Sequence, residues 1–232
     1  LFERKERWMP DTEEISKQKL REIFNKQAGK LIDLGYEKLA RKNSGLFFLE
    51  LRRLSNLIKR MPPLTIHAQT LPLLIVVNRE CVSLSSQIRA LNSDDCEAAL
   101  DIADCESLPS LKSKHFLGLI FSVRLKKAAF SKQSVNDIFF GFRVWSRQGL
   151  AIDEGLALAT HYSGAIHGHS LLFLGGQPPS DLPESGIEAA VSTRPWPVLS
   201  SEEGRIRLRY GDFLEEKEMV FPSCFENLKG GG

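Results

Sequence analysis

Residues 161–169 read HYSGAIHGH and hold three of the chain's five histidines. With a helix ending near Tyr162 and a strand beginning near His169, His167 and His169 stand two apart at a strand entrance and point to the same side. His161, returning from the helix end, would complete three of the four positions of a tetrahedral zinc site and leave one for water, as catalytic zinc requires. His161, His167 and His169 are therefore the candidate metal ligands. The nine residues hold no carboxylate, and Gly164 and Gly168 make the stretch a natural turn. A histidine at a helix C-terminus also has a plain role, because its cation complements the dipole there. The turn is the favoured reading, and the residues name no cofactor.

The candidate catalytic residues are His161, Glu154 and Cys224. Asp153 and Glu154 are adjacent in GLAIDEGLALATHY, where a carboxylate could act as general acid or base. Carboxylates in a first helical turn also satisfy free backbone N–H groups and the dipole, and that structural role is expected here. Cys224, in FPSCFEN, becomes a nucleophile only beside a base, so a buried inert thiol is expected. The Gly-Gly of LFLGGQPPSD lacks the Lys-Ser/Thr of a P-loop and the third glycine of a dinucleotide fingerprint, and reads as a turn. Trp8, Trp145 and Trp196 are dispersed and build no stacking ladder.

These residues depend on the elements that hold them. DTEEISKQKLREIFNKQAGKLIDLGYEKLA predicts a helix from Asp11, with Glu13 and Glu14 in its first turn, Leu20, Ile23, Phe24, Leu31 and Leu34 at helical spacing, and Gly35 as terminator. LFFLELRRLSNLIKR predicts a second helix with Phe47, Leu51, Leu54 and Ile58 on its buried stripe, stopped by Pro62 and Pro63. LLIVVN reads as a central strand buried on both faces. SLSSQIRAL, SDDCEAALDIAD and SKQSVNDIFFGF read as helices, HFLGLIFSVRLK as a long strand, and GLAIDEGLALATHY as the clearest later helix. HSLLFLGG, GIEAAVST and GRIRLRY read as strands, with GGQPPSDLPESG and RPWPVLSSEEG as loops rich in turn formers. The expected class is α+β, or α/β with a mixed sheet: a helical segment over residues 1–63 packed on a sheet body over 64–232, forming one structural unit over 11–228.

The chain has 232 residues, 42% of them hydrophobic and 26% charged, a globular composition. Its longest apolar runs, LPLLIVV and FLGLIF, are strand-sized and far short of the roughly 18–20 residues of a membrane span. No membrane association is expected. LFERKERWMP shows no charged-then-apolar-then-small pattern of a secretory signal. Cys81, Cys96, Cys105 and Cys224 form no CxxC pair, so reduced thiols in a soluble, cytoplasmic protein are expected. Residues 1–63 carry 15 Lys and Arg against 9 Asp and Glu, about +6, and the remainder carries 16 against 20, about −4. The basic residues alternate with acids and no aromatic platform interleaves them, which argues against a nucleic-acid arm and for a solvated helix face that complements the acidic body or a partner; a protein partner or a homo-oligomer is compatible with it.

LIDLGYEKLA before a Phe-containing helix, the strand LPLLIVVN, and GLAIDEGLALATHY running into LLFLGG together resemble a bacterial family of uncharacterised proteins, a domain of unknown function, over residues 20–176. PSC at 222–224 echoes the small-residue stretch closed by a cysteine near that family's end. Ala151 stands where the family has a helix-capping threonine, and RIRLRYGDFLEEKEMVF replaces its tryptophan-rich segment. The resemblance implies no activity. The expected function is a non-catalytic binding or interaction module. The alternative is a metal- or cysteine-dependent hydrolase-like enzyme using the 161–169 histidines or Cys224.

Overall fold

A computed structural model describes residues 12–40, 44–67, 70–91, 115–129, 147–165, 170–172, 196–202, 205–211 and 218–225. They form an α+β fold. In chain order the elements are β1 (Thr12–Ile15), α1 (Lys17–Asp33), α2 (Tyr36–Leu39), α3 (Ser44–Arg60), β2 (Leu64–His67), β3 (Thr70–Val77), α4 (Leu84–Leu91), β4 (Leu117–Ala129), β5 (Arg147–Gly149), α5 (Ile152–His161), β6 (Ser170–Leu172), β7 (Trp196–Glu202), β8 (Arg205–Gly211) and β9 (Glu218–Phe225).

The front of the chain is an α-helical excursion bracketed by strands. β1 pairs antiparallel with β2, from Thr12 opposite His67 to Ile15 opposite Leu64. Glu13 and Glu14 therefore lie in a strand, and α1 starts at Lys17, with the Ser16 side chain accepting from the Lys19 N–H at 3.2 Å. The far end follows the sequence expectation: Gly35 takes a left-handed φ of 72° and donates to the Ile32 carbonyl. Leu20, Phe24 and Leu31 of α1 and Phe47, Leu51, Leu54 and Ile58 of α3 are buried against one face of the sheet, in a cluster with Leu73, Ile75 and Val77 of β3 and Leu117, Leu119 and Phe121 of β4.

The main sheet is mixed, in the order β3-β4-β9-β6-β7-β8, with β5 also on β9. Its pairings are antiparallel except β6 with β9, which is parallel. A second apolar cluster fills the opposite face: Leu74 and Val76 of β3, Ile120 and Val123 of β4, Ile88 of α4, and Leu156 and Leu158 of α5. Alternate residues of β3 thus enter two cores, so LLIVVN is buried on both faces as its composition requires. Its expected central place is corrected, because β3 ends the sheet among the described residues.

Four strands lie where loops or nothing had been expected: the short β2 and β5, and the longer β7 and β9. WPVLSSE, inside a turn-rich stretch, forms β7 and pairs along its length with β8. EMVFPSCF forms β9 between β4 on one side and β5 and β6 on the other. Pro222 lies between the stretch that pairs with β6 and the stretch that pairs with β5, where a missing N–H costs least. The helices expected in SDDCEAALDIAD and SKQSVNDIFFGF and the strand expected in GIEAAVST lie outside the described residues.

Candidate functional site

Helix α5 carries Asp153, Glu154 and His161. All nine residues from Ile152 to Thr160 are buried, both carboxylates included. A helix buried all round needs its polar groups answered inside the protein. Glu154 accepts the backbone N–H of Ala151 at 2.7 Å, the half of a capping box that an alanine N-cap still permits. Asp153 faces Arg79, which sits in the turn after β3, at 3.5 Å, with side-chain exposures of 0% and 8%. Both acids also lie in the first turn, where the dipole favours negative charge.

The other end of α5 meets the free edge of β3. An edge strand presents unpaired N–H and C=O groups that must be satisfied or covered. Gln27 of α1 acts here as a one-residue strand: its Nε2 donates to the Leu73 carbonyl at 2.8 Å and its Oε1 accepts the Ile75 N–H at 2.8 Å. His161 donates Nε2–H to the Ile75 carbonyl at 3.0 Å, and the Tyr162 hydroxyl reaches the Leu73 carbonyl at 3.4 Å. Gln87 of α4 extends the seal with a 3.5 Å contact to the Val77 carbonyl. Three helices close one strand edge through side chains.

Gln27 was invisible to a search for chemical motifs, yet it left a signal. Leu20, Phe24, Gln27 and Leu31 follow one another at steps of four, three and four, so a polar residue sits on the apolar stripe and must find buried partners. Replacing it with leucine is expected to cost about 2 kcal/mol, because the Ile75 N–H is left bare while Leu73 keeps Tyr162. Urea unfolding measures this, and the Ile75 amide should show the largest gain in hydrogen exchange.

Outside this seam, α1 and the end of α5 enclose a cleft of about 750 Å³, lined by Lys19, Lys26, Lys30, Gln27, His161 and Tyr162 among others. Burial drives the His161 imidazole down to about 4, the Ile75 carbonyl opposing and Lys30 reinforcing. His161 is therefore neutral at pH 7, with Nε2–H held by Ile75 and a buried Nδ1 that finds no partner among the described residues. His167 and His169 lie outside the described residues. Among those described, no three His, Cys, Asp or Glu side chains converge to hold a metal.

The candidate catalytic residues stand apart. Glu154 and His161 are seven residues apart on one helix, about 10 Å along its axis. Cys224 is fully buried on β9, two strands in from the β3 edge that His161 caps, again about 10 Å or more away. Its neighbour is Arg147, a buried guanidinium that donates Nε–H to Ser223 Oγ at 3.0 Å and Nη2–H to the carbonyls of Ser223 and Ser122 at 2.7 and 2.8 Å. Burial lowers that guanidinium to about 10, Cys224 opposing and Arg124 reinforcing.

Ser122, gripped by Arg147, has a φ of 54°, and its buried hydroxyl finds no partner among the described residues. It stands across from Pro72, where the β3–β4 ladder skips a pair. Ser122→Gly removes both the left-handed strain and the stranded hydroxyl, so it is expected to raise stability by about 1 kcal/mol, read as an upward shift in Tm.

A different surface is unfinished. On α3, Leu46 and Phe48 are 49% exposed, Leu49 is 60% and Leu57 is 36%, although the opposite face of the same helix is core. Arg52, Lys59 and Arg60 of the same helix are exposed as well. Glu50 is occupied, with Arg53 at 2.8 Å and His115 at 3.4 Å. Among the described residues no helix is long and apolar enough to cross a membrane. Compared with models of protein families, with characterised proteins and with solved structures, the chain gives no match.

Proposed function

We propose that this chain is a binding module that engages a macromolecular partner through the outer face of α3. The observation that carries the reading is the exposure of Leu46, Phe48, Leu49 and Leu57 on one helix anchored by four buried residues behind them. Exposed large apolar side chains grouped on one element mark contact surfaces more often than scattered single ones do. The same helix exposes Arg52, Lys59 and Arg60, and this positive charge favours a partner of opposite sign. Elsewhere the buried polar residues serve the fold: Glu154 caps a helix, while Gln27 and His161 seal a strand edge.

The module belongs to a bacterial cytoplasm on this reading. Support comes from the resemblance over residues 20–176 and from Cys81, which stands as a thiol and not in a disulfide. A photo-crosslinking residue at Leu49, compared with one at the exposed Arg89 of α4, tests the surface in cells. A discrete adduct at position 49 and none at 89 is expected. Equal yields at both positions would remove the claim.

A further inference from the structure

We infer that the partner of the α3 face is an amphipathic helix with acidic flanks; this rests on the reading of that face as a contact surface. Leu46, Leu49, Arg53 and Leu57 fall at steps of three, four and four, so the three leucines form a narrow seam about 16 Å long. A seam of that width and pitch matches the ridge of one helix laid along another, in the manner of knobs packing into holes. The broad apolar face of a bilayer-lying helix is a different shape: here the far side of the helix is already core, and a cation interrupts the seam.

Arg53 is fixed in place. Its Nε–H donates to Glu50 Oε2 at 2.9 Å, and Nη2–H donates to the Leu117 carbonyl at 2.8 Å, so its stem borders the seam as a rigid wall. Arg60, two turns beyond Arg53, and Arg52, beside Leu49, add positive charge along the seam, with Lys59 further round the helix, while Glu50 is paired with Arg53 and His115. The rim is positive, and the complementary partner carries glutamate or aspartate beside its apolar ridge. A second copy of the chain would bring a further set of these cations to the same seam, which disfavours self-association.

The test uses two synthetic helices of about four turns with leucines at alternating spacings of three and four, one flanked by glutamates and one by lysines. Binding to the intact protein is followed by fluorescence anisotropy at low and high salt. The glutamate peptide is expected to bind at least about tenfold more tightly, with affinity falling as salt rises. Arg52→Glu with Lys59→Glu and Arg60→Glu should invert the preference, and Leu49→Ser with Leu57→Ser should abolish binding while Tm holds, since both leucines are exposed. Equal binding of both peptides, lost in the leucine variant, overturns the acidic partner and leaves the contact surface standing. Binding of neither peptide, together with no adduct at position 49, overturns both. A dimer dissolved by the leucine variant, or binding to vesicles containing anionic lipid in place of the peptide, overturns the acidic helix in favour of that occupant.

Discussion

Arg79→Met is expected to destabilise the protein by about 3–5 kcal/mol, because it strips the cation from a carboxylate that has no access to water. Asp153 is 0% exposed and Arg79 8%, with 3.5 Å between them. Methionine keeps much of the length of the arginine stem, so packing changes less than charge. Asp153 keeps its place at the start of α5, where the dipole of a ten-residue helix also favours its charge. Asp153→Leu alone removes the anion that faces Arg79 instead, and the double variant removes both ions. The double variant should recover part of the loss, since an apolar pair of similar volume often replaces a buried ion pair at little cost. Urea midpoints of the four proteins complete the cycle. A loss below about 1 kcal/mol in Arg79→Met would show that the pair does not hold the start of α5.

The second large effect is a dependence on pH that one residue controls. His161 titrates near 6.5 when unfolded and near 4 in the fold, because burial opposes its cation and Lys30 adds like charge. The unfolded chain therefore binds the proton first. The contribution is complete above about pH 6.5, shrinks as pH falls toward 4, and is lost below that. The span between the two values corresponds to about 3 kcal/mol, of which about 2 kcal/mol is gone by pH 5. Protonation also places an N–H at Nδ1, a buried position with no acceptor among the described residues. His161→Gln keeps a donor for Ile75 and removes the titration. Its stability should fall less between pH 6.5 and 5 by about 2 kcal/mol, with all shared carboxylate effects cancelling in the comparison. Parallel curves for the two proteins would mean that His161 does not titrate as its surroundings dictate.

The helices could be read in the sequence because their apolar stripes repeat over several turns. Phe47, Leu51, Leu54 and Ile58 specify α3 and its buried face, and Gly35 marks where α1 stops. The errors arise where pairing partners are distant. TEEI resembles an acidic first turn, yet its partner is LTIH more than fifty residues later, and that pairing makes it a strand. WPVLSSE and EMVFPSCF carry prolines that argue locally for loops, and the sheet accommodates them by its order of neighbours. β3 looked central because two-faced burial is the mark of an inner strand, whereas here helices supply the cover and Gln27, His161 and Tyr162 supply the missing hydrogen bonds. Residue type alone drew attention to His161, Glu154 and Cys224. The exposed face of α3 drew none, because exposure belongs to the fold and a leucine in the sequence carries no label for it.

Amide hydrogen exchange of the intact protein, with and without the glutamate-flanked peptide, tests the division between a working surface on α3 and a structural seam between α1 and α5. Slowed exchange on α3 between Leu46 and Leu57, with Ile75 and residues 161–164 unchanged, is the predicted result. Slowing at residues 161–164 while α3 exchanges as before would contradict it and move the binding surface to the cleft.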